Sequence, residues 1–194
     1  QVLLLWQGLG YYSRARRLHS TSRLLLAQLE RSGHRNNDCK QFRHWPVDPE
    51  VWLALPGIGR STAGGILSSA FNSPLAILDG NVRRVLARLH AHPEPPMRAQ
   101  ARFWTWSENL VDAVPGSSRN LNQALMDLGA TVCTPRHPSC ERCPWDAFCA
   151  AYASGSPQRY PVKEAPRSIP FQVIGVGVVL NQAGDVLIDQ RLDE

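Results

Sequence analysis

Two groups of residues in this 194-residue chain have the types and spacing to do chemistry. The first begins with Gly57 and Gly59, which flank one isoleucine in the run Leu-Pro-Gly-Ile-Gly. Paired glycines allow a tight turn and leave the amides of the next helix pointing at an anion. Asp79 follows twenty residues after Gly59, at the start of a later helical pattern. A phosphate-gripping turn with an acid nearby is the layout of an enzyme acting on DNA, although an aspartate before Gly-Asn is more often only an N-cap.

The second group is a set of four cysteines in the pattern C-x6-C-x2-C-x5-C, namely Cys133, Cys140, Cys143 and Cys149. Four thiolates this close in sequence can surround one metal centre. Zinc and an iron–sulfur cluster both accept four thiolates, so the number of ligands does not separate them. Two disulfides are the remaining alternative, which the missing secretory signal and the Cys-x-x-Cys pair disfavour. The fifth cysteine, Cys39, stands alone in a polar segment.

Positive charge is concentrated at one end of the chain. The formal net charge is +5, and residues 1–44 hold eight basic side chains against two acidic ones. Such an excess favours nucleic acid as a partner, although a solvated helix face can also carry it. No apolar run approaches the roughly 18 residues that a membrane span needs, so we expect no membrane partner. The missing export signal and reduced cysteines favour a bacterial cytoplasm or its equivalent, with the protein on the nucleoid.

The elements that must position these residues are helices. An aspartate followed by proline at 48–49 predicts a helix start, and residues 52–67 read as helix, hairpin, helix. Apolar residues from Val82 to Leu89 recur at helical spacing behind Asp79. Further helical patterns cover residues 18–29, 98–114 and 120–129, so the first 150 residues are predicted to be all-helical.

The sequence changes character after residue 153. Residues 154–170 contain four prolines and predict an extended linker. Residues 171–180 and 185–190 then read as two strands, joined by a turn at 181–184.

These motifs carry a resemblance to a known family. The helix-hairpin-helix run resembles that of base-excision DNA glycosylases, and the cysteine pattern behind it resembles the [4Fe-4S] loop of the endonuclease III and MutY families. There the cluster orders a loop that faces DNA and takes no part in bond cleavage. The residues at 176–180 and 185–188 are similar to the first strands of MutT-like domains, which follow the cluster in MutY proteins.

The resemblance implies a mainly α fold, in which a helix-hairpin-helix DNA glycosylase with a [4Fe-4S] cluster loop is followed by the start of a small MutT-like α+β domain. Residues 1–73 would belong to a six-helix barrel domain and residues 74–153 to the cluster domain. Residues 154–170 would be the linker and residues 171–194 a truncated MutT-like domain. Because the chain begins and ends within such patterns, we expect a fragment. Without the first helices and the family's catalytic acid it would be inert or poorly folded, and the full-length protein would be the enzyme.

The MutY resemblance also assigns residues that contact DNA. Leu9 and Tyr11 match the residues that wedge beside 8-oxoguanine, and a leucine and an aromatic ring between glycines suit insertion into a base stack. From the residues alone, packing in the core is the alternative. Gln123 matches the residue that faces the flipped adenine, where an amide can both donate and accept; exposure to solvent is its alternative. Gly57, Gly59 and Arg60 would hold the DNA backbone.

The same resemblance implies a mechanism. Asp79 would stabilise the positive charge that develops on the sugar, and Asn81 would orient that carboxylate or a water. Bifunctional endonuclease III relatives carry a lysine at the position of Ser61, and a serine cannot form their Schiff base. Ser61 would at most position a water or the sugar, so base release without strand cleavage is expected. The glutamate that protonates adenine in the family has no match in this chain.

The expected function is therefore a monofunctional, base-flipping adenine glycosylase that acts as a monomer on duplex DNA containing adenine opposite 8-oxoguanine or guanine. Two alternatives are an endonuclease III-like glycosylase for oxidised pyrimidines and a helix-hairpin-helix module that binds DNA without catalysis. A structural zinc protein is a third, and it would lack the brown colour of an iron–sulfur cluster.

Overall fold

The fold is mainly helical, as the sequence predicts. The computed structural model describes residues 1–31, 45–164 and 171–188. Cys39 and the basic residues near it lie outside these ranges. The α-helices are α1 (Val2–Leu5), α2 (Tyr12–Arg31), α3 (Pro49–Leu53), α4 (Arg60–Phe71), α5 (Gly80–Leu89), α6 (Gln100–Asp112), α7 (Ser118–Asp127) and α8 (Ala150–Ala153). A π-helical turn, Leu128–Val132, continues α7, and single 3-10 turns lie at Cys140–Arg142, Asp146–Phe148 and Pro157–Arg159.

Two apolar cores stabilise these helices. One lies among α2, α3 and α4, where Trp52 and Leu67 are buried. The other lies among α5, α6 and α7, around Leu86 and Phe103. Backbone contacts group residues 1–163, with both cores, into one compact unit, and the predicted division at 73 stays a prediction. No helix in the described part of the chain is long and apolar enough to cross a membrane.

Capping residues placed the starts of α3 and α5 correctly. Asp48 caps α3 by accepting a hydrogen bond from the Glu50 amide, at 3.0 Å, with Pro49 as the first helical residue. Val82 and Leu86 on α5 are fully buried, as their spacing predicts. The helix predicted at 18–29 is longer, because α2 spans Tyr12–Arg31.

The compact helical unit continues into the segment that the sequence predicts as a linker. Pro157 is buried and Tyr160 packs against the second core. The Nε of Arg88, on α5, donates to the carbonyl oxygens of both residues, each at 3.0 Å. Because this backbone has fixed partners, residues 154–163 are folded onto the helices and are not an extended linker.

The second unit covers residues 164–194, of which residue 164 and residues 171–188 are described. The predicted turn is confirmed, since the Asn181 carboxamide oxygen accepts from the amides of Ala183 and Asp185, each at 2.9 Å. One antiparallel bridge, Leu180 to Val186, adjoins it. The described residues form no longer strand, because a two-stranded ribbon with exposed side chains has no core to stabilise it. The MutT-like domain stays a prediction.

Candidate active site and DNA interface

The predicted hairpin lies between α3 and α4. The Ile58 amide donates to the Leu55 carbonyl oxygen at 3.2 Å, which closes the turn. Gly57 has a φ of +81°, a conformation that side chains other than glycine rarely adopt. Gly59 is extended, with a φ of −98°, and precedes the first residue of α4. A Cβ atom at Gly59 would meet open space, so this face of the hairpin is free for a close approach.

Helix α2 packs against the hairpin turn. A Cβ atom at Gly57 would lie 2.8 Å from Cδ of Arg17, so the arginine stem packs directly on the turn. The Thr21 hydroxyl donates to the Pro56 carbonyl oxygen at 2.8 Å. Sequence patterns did not find these two supporting residues, since they lie some forty positions away from the turn.

Arg60, a predicted DNA contact, is held by α6 in this structure. Its guanidinium forms an ion pair with Glu108. Its central carbon also lies 4.0 Å from the ring centroid of Trp104, a cation–π arrangement. Arg60 already has these two partners, and its DNA contact stays a proposal.

Asp79 lies at the start of α5, where it is partly buried. Its Oδ1 accepts a hydrogen bond from the Val82 amide at 2.8 Å, which confirms the N-cap. No described residue donates to the other carboxylate oxygen, so the cap leaves one oxygen available for chemistry. The Ser61 hydroxyl on α4 accepts from the Leu78 amide at 3.0 Å, next to Asp79 in the chain. Ser61 therefore ties the hairpin helix to the carboxylate's own backbone.

Asn81 is linked through Arg84 to the π-helical turn that continues α7. Its Oδ1 accepts from Nη2 of Arg84 at 2.8 Å, and the same nitrogen donates to the Gly129 carbonyl oxygen at 2.6 Å. Nε of Arg84 donates to the carbonyl oxygen of Cys133 at 2.7 Å. The described residues show no hydrogen bond between Asn81 and Asp79, so the predicted orienting role stays a proposal. Neither Arg84 nor Gly129 was found from the sequence, although Arg84 follows Asn81 by one helical turn.

Burial lowers the pKa of the Arg84 guanidinium from its usual value. Cys133 and Asp79 act in the opposite direction, and Arg88 adds to the lowering. The carboxylate at the start of α5 and the first predicted cysteine ligand therefore lie within electrostatic range of one arginine.

Gln123 is exposed on α7, and its Nε2 donates to Oδ1 of Asp127 at 2.9 Å. Its neighbour Asn122 is fully buried and donates from Nδ2 to Oγ of Ser68, at 2.9 Å, and to the Leu75 carbonyl oxygen, at 2.8 Å. Apolar spacing over 120–129 predicts a buried stripe of Leu121, Ala124, Leu125 and Leu128, and the prediction is wrong at Ala124, which is exposed. Because α7 packs on α4 through this asparagine, the buried face is rotated from the one that apolar spacing indicates.

Leu9 and Tyr11 protrude from the turn between α1 and α2. Their exposed fractions are 67% and 80%, so neither packs in the described cores. Gly8, Gly10 and Tyr11 all have positive φ, and Nε1 of Trp6 donates to the Gly10 carbonyl oxygen at 2.9 Å. An aromatic and an aliphatic side chain are thus presented on a braced, strained turn.

The four cysteines of the C-terminal pattern line one small cavity. All four are free, partly buried thiols, which removes the disulfide alternative for them. Burial raises the pKa of Cys140 and of Cys143, and the neighbouring cysteines raise both further. The thiolate is the form that binds metal. A thiol with a raised pKa becomes a thiolate here only when the positive charge of a metal stabilises it.

Four cysteine thiols are a donor set that a zinc ion and an iron–sulfur cluster both accept. A single zinc ion needs four sulfurs about 2.3 Å from one centre. No group of three or more His, Cys, Asp or Glu side chains within the described ranges converges in a way that could hold an ion.

The fold and the hairpin define a class of DNA repair protein. Residues 1–109 match the family of HhH-GPD superfamily base excision DNA repair proteins, and the chain belongs to that family. Within it, the chain is 41% identical over 154 residues to the adenine DNA glycosylase of Mus musculus, covering 78% of this chain and 27% of that protein. It is 38% identical over 179 residues to the adenine DNA glycosylase of Schizosaccharomyces pombe, covering 87% and 36%. The chain thus resembles a MutY-type glycosylase while spanning about a third or less of these two relatives.

Solved structures agree on the fold. A thermostable thymine-DNA glycosylase aligns with a TM-score of 0.57 and 30% identity, over 73% of this chain and 59% of that one. An endonuclease III in a non-covalent complex with DNA aligns with a TM-score of 0.54 over 76% and 61%, and its 22% identity is a likeness of fold alone.

Proposed function

We propose that this chain is part of a DNA repair glycosylase that hydrolyses the N-glycosidic bond of adenine paired with 8-oxoguanine or guanine. The observation that carries the proposal is the position of Asp79, whose backbone is tied to the hairpin helix through Ser61 and Leu78. Its N-cap bond uses one carboxylate oxygen. Similarity to adenine DNA glycosylases supports adenine as the base released.

The proposed chemistry follows from the charge that bond cleavage creates. As adenine departs, positive charge grows on the deoxyribose, and an ionised Asp79 would stabilise that charge or attack the sugar directly. Ser61 lacks an amine and its hydroxyl is occupied by the Leu78 amide, so no Schiff base would form. The proposed reaction therefore releases the base and leaves the strand intact. The proton that adenine needs is assigned to no residue of this chain.

DNA would be gripped and deformed by residues around the carboxylate. The N-terminal amides of α4, behind Gly57 and Gly59, would bind a backbone phosphate. Leu9 and Tyr11 would enter the base stack beside the lesion and help to extrude the adenine. Gln123 would meet the extruded base, after exchanging its bond to Asp127 for bonds to adenine. Duplex DNA would be the partner of a monomeric protein, in the compartment that holds the chromosome.

The proposed cofactor is a [4Fe-4S] cluster held by Cys133, Cys140, Cys143 and Cys149. When bound, the cluster would cross-link the loop and take no part in bond cleavage. The loop presents exposed basic residues that could then meet phosphate, namely Arg136, His137 and Arg142.

The test compares substrates with the full-length protein that carries this chain. Duplexes with adenine opposite 8-oxoguanine, adenine opposite guanine, and thymine glycol opposite adenine would be incubated in parallel. We expect free adenine from the first two, with strand scission only after alkali treatment. Scission of the thymine glycol strand without alkali would instead favour an endonuclease III-like enzyme. Binding without release of any base would favour a non-catalytic module.

A further inference from the structure

Arg88 is a buried cation beside the cysteine cavity. Its side chain is 2% exposed, although it is one of the largest in the core. Burying a guanidinium costs much free energy unless its donors and its charge are both matched. The N–H donors of Arg88 are matched with backbone carbonyl oxygens. Nε bonds Pro157 and Tyr160, Nη1 bonds the Thr134 carbonyl oxygen at 2.7 Å, and Nη2 bonds that of Pro135 at 2.9 Å.

The charge of Arg88 has no carboxylate partner within the described residues, where the ion pair found is that of Arg60 with Glu108. Asp146 also borders the cavity, but its Oδ1 accepts from the Ala147 amide. The remaining contact of Arg88 is to sulfur. Its Nη1 lies 3.2 Å from Sγ of Cys133, and Sγ of Cys149 lies 3.5 Å from the Arg88 carbonyl oxygen. Side chain and backbone of one residue thus touch the first and last cysteines of the pattern.

We infer that Arg88 is the counter-cation of a net anionic, thiolate-bound group in this cavity, and that it couples the fold of residues 157–160 to the presence of that group. Four thiolates exceed the positive charge of the metal core that they bind, for zinc and for iron–sulfur clusters alike. A hydrogen bond from a cation to a thiolate is stronger than one to a neutral thiol. The inference rests on the proposed metal site and adds a positioning residue to it.

The guanidinium of Arg88 bonds two backbone segments at once, and this links the loop after Cys133 to residues 157–160. Nη1 and Nη2 hold the backbone just after Cys133, while Nε holds the backbone at Pro157 and Tyr160. When the anionic group is absent, Arg88 keeps its carbonyl partners and loses its charge partner. The buried cation then becomes costly, and the segment that encloses it is the part that can open to water.

The first test measures metal retention in the full-length protein. Arg88→Gln removes the charge, and Arg88→Lys keeps the charge but loses the fork. Arg102→Gln, an exposed arginine on α6, is the matched control. We expect Arg88→Gln to release iron to a chelator about tenfold faster than the wild type, with Arg88→Lys between them and the control unchanged. Wild-type iron content and release rate in Arg88→Gln would overturn the inference, as would equal loss in the Gln and Lys variants.

The second test needs no variant, so a failure to fold cannot obscure it. Hydrogen exchange of the wild type would be compared before and after iron removal. The amides of Arg159 and Tyr160, which donate to the carbonyl oxygens of Ser156 and Pro157, should lose protection. Amides in the middle of α4 should keep theirs. Unchanged exchange at residues 159 and 160 would contradict the coupling.

The two proposals fail in different ways. A wild-type protein with zinc and no iron would contradict the proposed [4Fe-4S] cluster, and zinc retention in the same variants would then test Arg88. A wild-type protein with iron, together with unaffected Arg88 variants, would contradict only the role of Arg88.

Discussion

The hydroxyl oxygen of Ser61 lies 3.0 Å from the Leu78 amide nitrogen and accepts its hydrogen bond. Leu78 is 1% exposed, so its amide has no access to water as a substitute partner. The next residue is Asp79, which caps α5. A single bond between residues seventeen positions apart therefore sets the distance between the hairpin helix and the proposed catalytic carboxylate.

Replacing Ser61 by alanine should slow base release because the buried Leu78 amide loses its acceptor. An unsatisfied buried donor costs about 1–3 kcal/mol, so we expect a stability loss of that size and a single-turnover rate about tenfold lower. Ser61→Thr should retain most activity, and Ser69→Ala, at an exposed position of α4, should change neither quantity. A full rate in Ser61→Ala would show that the bond does not position Asp79.

Replacing Asp79 by asparagine should separate its two roles. Asparagine caps a helix about as well as aspartate, so the unfolding temperature should stay close to that of the wild type. Without a carboxylate to stabilise the positive sugar, the rate of adenine release should fall by roughly 100-fold or more. Asp79→Ala should lose both activity and about 1 kcal/mol of stability. Calorimetry and single-turnover kinetics on the same preparations would decide, and unimpaired release by Asp79→Asn would refute the proposed catalytic role.

Replacing Gly129 by alanine should disturb the site through packing. A Cβ atom there would lie 2.5 Å from Cβ of Asn81, closer than real contacts allow. We expect a loss of about 1–3 kcal/mol in the free energy of unfolding, because Asn81 and the π-helical turn must move apart. Gly65→Ala is the control, since its Cβ atom would meet only an ordinary contact at 3.9 Å. Denaturant unfolding would compare the two variants, and equal stability would contradict the close approach.

Protonation of His90, an exposed residue that follows α5, should destabilise the fold by a small amount. The His90 ring stacks on Trp106, with centroids 3.9 Å apart. Burial lowers the pKa of His90, and the neighbouring His92 lowers it further. A histidine whose pKa is lower in the folded state contributes stability that is complete above its unfolded pKa of about 6.5 and is lost as the pH falls through the folded value. The unfolding temperature should therefore fall between about pH 7.5 and 5.5 by less in His90→Gln than in the wild type. An identical pH profile in the variant would exclude His90 as a contributor.

Local patterns determined the elements of this protein. The glycines at 57 and 59 and the acid at Asp79 mark a turn and a cap that the structure contains, and the stripe behind Asp79 predicts the buried face of α5. These features depend on hydrogen bonds and side-chain spacing within a few residues, which the sequence displays directly. The cysteine spacing likewise predicts that four thiols share one place, and they line one cavity.

Only the tertiary structure decided which long-range partners complete the site. Arg60 pairs with Glu108 on α6, and Arg84 joins Asn81 to the π-helical turn. Arg88 reads from its sequence position as an ordinary helix residue, yet it is buried with partners 69 and 72 positions away. Helical periodicity reports how much apolar surface a face carries and not which neighbour it meets. The partners of buried polar groups are fixed only when the helices pack and every donor must find an acceptor.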